Sequence, residues 1–210
     1  MRILVAGACV IGSVCAGKLP EAGHEVALLA RGLRLSDLQA HGLVLEDAGS
    51  GQRTEVWVPS LSEPAAGDRH DLALVPGRAE QLAGTLPVLT GMTGDSDVLF
   101  FGTAGWQAEL AAAVGGRALF GFPAAGVRDG PVVRYVLIRH HKTMLGDADG
   151  TTTPRVRQRQ EVLSGAGFPV PGTRCRHQPA GEHQARPVAV RRAPAAGVPA
   201  GAADMPGPPW

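Results

Sequence analysis

Residues 2–6 (RILVA) and 24–30 (HEVALLA) are short apolar runs flanking a glycine turn, residues 7–12 (GACVIG), and a helix candidate at 13–22. Nearly unbroken apolar runs of this length suit strands covered on both faces. Strand, glycine turn, helix and strand within about thirty residues make a βαβ unit, which commits the chain to parallel pairing. Pro20 should kink or shorten the helix, and Gly23 suits its C-cap. The same opening can be read as a secretory leader, Arg2 followed by an apolar stretch. One positive residue is a thin leader start, Gly7 and Gly12 interrupt the run, and a second strand follows soon after, so the strand reading is preferred.

The alternation continues. A short helix is predicted over 33–40 with Gly42 beyond its end, then a hairpin from 43–46 and 54–58 around Asp47 to Gly51. Residues 71–75 (DLALV), 98–101 (VLFF) and 118–122 (ALFGF) read as further strands, with helices at 79–89 and near 107–114. Residues 132–138 and 142–146 look like antiparallel strands, and 154–166 like a helix with proline in its first turn. The expected fold class is α/β: a Rossmann-like, doubly wound and mostly parallel sheet over residues 1–170. In such sheets ligands sit at the carboxyl ends of strands, near the point where strand order reverses.

Composition changes at the end of the chain. Residues 171–210 hold eight of the seventeen prolines and no Leu, Ile, Phe or Lys, and carry a local charge of +3. So little apolar surface cannot offset the entropy of ordering forty residues. This stretch is expected to be a disordered Pro/Ala/Arg-rich tail, either an extension or an out-of-frame reading of GC-rich DNA. The whole-chain charge of +1 gives no global drive toward nucleic acid or an anionic membrane. No stretch is apolar and long enough to span a bilayer as a helix. Three cysteines, Cys9, Cys15 and Cys175, form neither a disulfide framework nor a metal-binding spacing, so a reducing, cytoplasmic setting and no metal are expected.

The glycine turn carries the clearest chemistry. A dinucleotide fingerprint uses one glycine for the tight turn, one for pyrophosphate approach and one for helix–strand packing. Gly7 and Gly12 fill the first and third places, and Cys9 stands in the second, where its side chain is expected to crowd the pyrophosphate. The alternative is a structural glycine turn with no ligand. At the end of the second strand, a cofactor with a free ribose 2′-hydroxyl wants a carboxylate. The chain has Ala30, Arg31 and Gly32 there, with Arg34 close by. Guanidinium pairs with a 2′-phosphate, which favours NADP over NAD unless Arg31 is merely a solvated surface residue. Cys9 reads as a small packing residue or, less readily, as a thiolate activated at a helix start. His140 and His141 read as surface histidines, and Trp57 and Trp106 as packing residues or edge plugs rather than stacking platforms.

On these residues the chain resembles the N-terminal domain of the ketopantoate reductases (2-dehydropantoate 2-reductases). Residues 1–32 carry most of the likeness, supported by AHGLVLED at 40–47, DLALVPGRAEQL at 71–82 and VRDGPVV at 127–133. The resemblance implies an NADP-dependent oxidoreductase that turns a small-molecule 2-keto acid into a 2-hydroxy acid on the way to pantothenate. It implies that Gly7, Ala8, Cys9, Val10, Ile11 and Gly12 cradle the pyrophosphate and that Arg31 meets the 2′-phosphate. Arg78 takes the place of a family lysine, Thr103 that of a family asparagine, and Ala124 and Ala125 fall toward the nicotinamide. The family's catalytic lysine, a proton donor to the developing alkoxide, and its glutamate come from a helical second domain. The lysines here are Lys18 and Lys142, both within the Rossmann-like part, so no catalytic residue is assigned. The expectation is a truncated, weakly active or inactive reductase. The alternative is a non-catalytic NADP(H)-binding or sensor module.

Overall fold

The computed structural model describes residues 1–171 except 66, 78–81, 83, 93–94, 103–105, 124, 129–131 and 139–141, and of 125–128 it describes the backbone alone. The tail expectation therefore lies, from residue 172 on, outside the described residues.

The chain opens with β1 (Arg2–Val5), α1 (Val10–Lys18), a single 3₁₀ turn (Pro20–Ala22) and β2 (Glu25–Leu29). Pro20 ends α1 as its missing N–H requires, and Gly23 closes the turn at φ 83°. Next come α2 (Gly32–His41), the hairpin of β3 (Leu43–Asp47) and β4 (Arg53–Val56), and the two-residue β5 (Ser60–Leu61). Then follow β6 (Leu72–Pro76), α3 (Leu86–Gly91), β7 (Asp97–Phe101), α4 (Gln107–Val114) and β8 (Ala118–Phe122). The described chain finishes with β9 (Ala125–Arg128), β10 (Val133–Leu137), β11 (Met144–Asp147) and α5 (Pro154–Gly165). Thr153 caps α5 by accepting from the Val156 N–H at 3.4 Å, with Pro154 in the first turn.

Seven strands form the main sheet in the order β11-β8-β7-β6-β1-β2-β5. All its pairs are parallel except β11 with β8. Consecutive residues of β1 serve opposite faces. Ile3 and Val5 join a core with α1 and α5, while Leu4 and Ala6 join one with α3 and α4. That explains the unbroken apolar runs.

Strands β4-β3-β10-β9 form a second sheet. Its Leu43, Leu45, Val133 and Tyr135 share one core with Val14, Cys15, Ala16 and Leu19 around α1. Helix α1 is thus held between two sheets, and its residues from Gly12 to Gly17 are all buried. Small side chains fit this position: a Cβ on Gly17 would lie 2.3 Å from Leu45 Cδ1. Strands β10 and β11 both exist where expected, but they belong to different sheets: β10 pairs with β3 and β9, and β11 with β8. No helix among the described residues is long and apolar enough to cross a membrane.

Candidate functional site

From β1 the chain steps one way to β2 and β5, then returns to the other side of β1 as β6. The reversal leaves a crevice at the carboxyl ends of β1, β2 and β6. A cleft of about 360 Å³ opens there. Gly7, Ala8 and Cys9 form one wall, Arg31 and Arg34 another, and Thr85 of the α3 approach a third.

The glycine turn is built as its sequence requires. Gly7 sits at φ 143°, a backbone region that side chains disfavour. A Cβ on Gly12 would stand 1.9 Å from the Gly7 carbonyl oxygen and 2.9 Å from Pro76 Cγ, so only glycine lets α1 approach β1 and β6 this closely. Val10 and Ile11 begin α1 and pack against the core behind the cleft. Helix α1 has no side-chain cap and no acidic residue in its first turn. Its free N–H groups and positive dipole end suit an anion.

Cys9 lines the cleft and makes a bond of its own. It is the N-cap of α1, with φ −69° and ψ 175°, extended values open to any residue. Its Sγ donates to the Pro76 carbonyl oxygen at 3.2 Å. The β6 terminus draws the thiol because it offers an acceptor within reach. Cys15, further along α1, is fully buried, and burial first, then the neighbouring Cys9, pushes its thiol up to about 12. It is a neutral packing group.

Arg31 is the N-cap residue of α2 and is exposed. Its Nη2 donates across the cleft mouth to the Gly84 carbonyl at 3.1 Å. Arg34, one turn on, donates through Nη2 to Ser13 Oγ at 3.3 Å and meets Asp37 through Nη1 at 3.1 Å. The last residue of β2 and the two that follow it, Leu29, Ala30 and Arg31, include no carboxylate.

Of the residues expected to bind cofactor, Gly7, Ala8, Cys9 and Arg31 line one cleft, and Val10, Ile11 and Gly12 lie behind it. Arg78 and Thr103 lie outside the described residues, as do Ala124, His140 and His141. Ala125 opens β9 in the second sheet, and its side chain is not described. Arg34, noted in the sequence as close to Arg31, is a cleft wall, and Thr85, which the sequence reading did not name, is another. For Arg34 the sequence held a signal, since it lies one helical turn beyond Arg31. Thr85 has none, because the approach to α3 reaches the cleft only through the tertiary fold. No group of three or more metal-ligating side chains occurs among the described residues.

Sheet order, crossover and glycine turn define a Rossmann-like α/β domain. Residues 3–149 match the family described as Ketopantoate reductase PanE/ApbA, and the chain belongs to that family. No curated protein matches it. Among solved structures it is similar to 2-dehydropantoate 2-reductase from Geobacter metallireducens GS-15, at 19% identity and TM-score 0.71, covering 81% of this chain and 57% of that one. The same enzyme from Methylococcus capsulatus superposes at TM-score 0.66 with 22% identity, covering 80% of this chain and 56% of that one. A D-mandelate dehydrogenase, solved with NADH and anilino(oxo)acetate, gives TM-score 0.67 at 22% identity, covering 81% of this chain and 56% of that one. The chain thus spans under three fifths of the length of these structures.

Proposed function

We propose that the cleft binds NADPH and that this chain is the cofactor-binding part of a reductase acting on a small 2-keto acid. One observation carries the choice of cofactor. The end of β2 presents Arg31, with Arg34 beside it, and no carboxylate. A carboxylate there would repel a 2′-phosphate, whereas guanidinium pairs with it through a fork of donors. The rest of the cleft fits a dinucleotide. Gly7 leaves the approach open, the first turn of α1 offers N–H groups to a pyrophosphate, and the Cys9 thiol is held aside on Pro76.

When bound, the nicotinamide would supply hydride to the keto carbon. This chain's residues orient the dinucleotide by its phosphates, at α1 and at Arg31. Reduction also needs a proton for the developing alkoxide. Lys18 sits at the far end of α1 and pairs with Glu21 there, and Lys142 is exposed; neither lines the cleft. That favours a second reading, in which these 210 residues by themselves bind NADP(H) with little or no turnover.

The test is a fluorescence titration with NADPH and NADH, followed by a turnover assay with ketopantoate. Binding of NADPH in preference to NADH, weakened by Arg31→Ala, is expected. Turnover would decide between reductase and binding module. No binding of either dinucleotide at millimolar concentration would overturn both readings.

A further inference from the structure

The two arginines of the cleft are held differently. Arg31 is exposed and bonds one backbone carbonyl, that of Gly84. The Arg34 side chain is two-thirds buried, with one terminal nitrogen on Asp37 and the other on Ser13. Ser13 is fully buried, and its hydroxyl reaches the Ala8 carbonyl at 3.5 Å. The anchor of Arg34 is thereby tied to the glycine turn. The second oxygen of Asp37 lies 3.2 Å from His41 Nδ1. A guanidinium carries five N–H donors, and among the described residues these two bonds engage two of them.

A phosphate monoester presents three acceptor oxygens and up to two negative charges, more than one bidentate guanidinium satisfies. We propose that Arg34 is a second specificity-determining residue of this cleft. Together with Arg31 it clamps the 2′-phosphate, and Ser13 is its positioning residue. The proposal rests on the NADP(H) reading above. Because Arg34 is already held on two sides, it loses little conformational freedom on engaging the phosphate. Its origin in the first turn of α2 places it on the side of the cleft where the end of β2 meets the 2′ substituent.

The experiment is calorimetric titration of the full chain with NADPH and with NADH, for the parent, Arg34→Ala, Arg34→Lys and Ser13→Ala. Melting temperatures check that each variant is folded. Arg34→Ala is expected to weaken NADPH about tenfold, as loss of one charge-assisted contact implies, and NADH less than about twofold. Arg34→Lys recovers only part of the loss, because an ammonium lacks the fork. Ser13→Ala weakens NADPH about threefold while leaving the charge in place. Equal weakening of both dinucleotides by Arg34→Ala would assign Arg34 to the shared pyrophosphate and overturn the proposal. Unchanged affinities would confine it to α1–α2 packing and overturn it too. A parent protein that does not prefer NADPH would instead overturn the cofactor reading, before any variant is considered. Should Arg34→Ala fail to fold, Arg34→Lys and Ser13→Ala decide by the same NADPH-to-NADH ratio.

Discussion

Gly12 and Cys9 lie three residues apart in one turn, yet they tolerate change very differently. The nearest obstacle to a Cβ on Gly12 is the Gly7 carbonyl oxygen, a backbone atom that cannot swing away. Gly12→Ala should destabilise the protein by about 3 kcal/mol, at the upper end for overpacking, and should abolish dinucleotide binding. Urea denaturation checks the first claim, and a urea midpoint equal to the parent's would refute it. Cys9 has ordinary extended torsions, and its thiol rests on Pro76. Cys9→Gly should therefore change NADPH affinity less than about threefold, a difference under 1 kcal/mol. The turn itself was legible in the sequence because backbone sterics dictate where glycine stands. The direction of the Cys9 side chain was not, because its acceptor lies on β6, far away in the chain. Arg34 was legible as a neighbour of Arg31, but its anchor on Ser13 depends on how α1 and α2 lie together.

Among the elements, α1 shows most clearly how packing overrides local preference. Gly→Ala in an exposed helix gains about 1 kcal/mol of helix propensity. At Gly17 the sign should reverse, because the new methyl would meet Leu45 of the second sheet, itself 1% exposed. Gly17→Ala is expected to cost about 2 kcal/mol. Leu45→Ala alone should cost about 3 kcal/mol by opening a cavity. The double variant should be more stable than the two losses added together, since each change relieves the other. Strict additivity in chemical denaturation would show that α1 and β3 do not press on each other. Strands β1, β2, β6, β7 and β8 were readable because burial on both faces writes an apolar run into the sequence. The pairing of β10 was not, because its partner β3 lies far away in sequence and sequence proximity favoured β11. The two residues of β5 are too few to show any period, and they became a strand by docking beside β2.

At the end of the sheet opposite the cleft, ion pairs join the last helix to the strands. Asp97, at the start of β7, receives Arg159 Nε at 2.7 Å and Arg155 Nη1 at 3.2 Å, which ties α5 to the sheet. Close by, the Ser96 hydroxyl donates to the His70 carbonyl, and His70 is 7% exposed, its Nδ1 having no hydrogen-bond partner among the described residues. Burial, chiefly, holds its imidazole below the ordinary value of 6.5. Arg2 adds to that depression, while Asp68 and Asp71 oppose it. His24, just before β2, is lowered in the same way, by burial first and then by the chain's amino terminus. In both cases the folded protein binds a proton less readily than the unfolded chain. The stability they contribute is therefore fully present above pH 6.5 and is lost as pH falls through 6.5 toward the lower folded values. Glu46 acts in a separate, more acidic window. Arg53 first, and Arg134 with it, hold its carboxyl below 4.5, so its contribution disappears only as pH falls below that value. The urea midpoint should accordingly drop between about pH 7.5 and about pH 5.5. Replacing both histidines, His24→Asn with His70→Asn, should flatten that slope even if it lowers the midpoint throughout. A midpoint that rises with acidification, or a slope that survives the double replacement, would mean that other groups govern the acid limb.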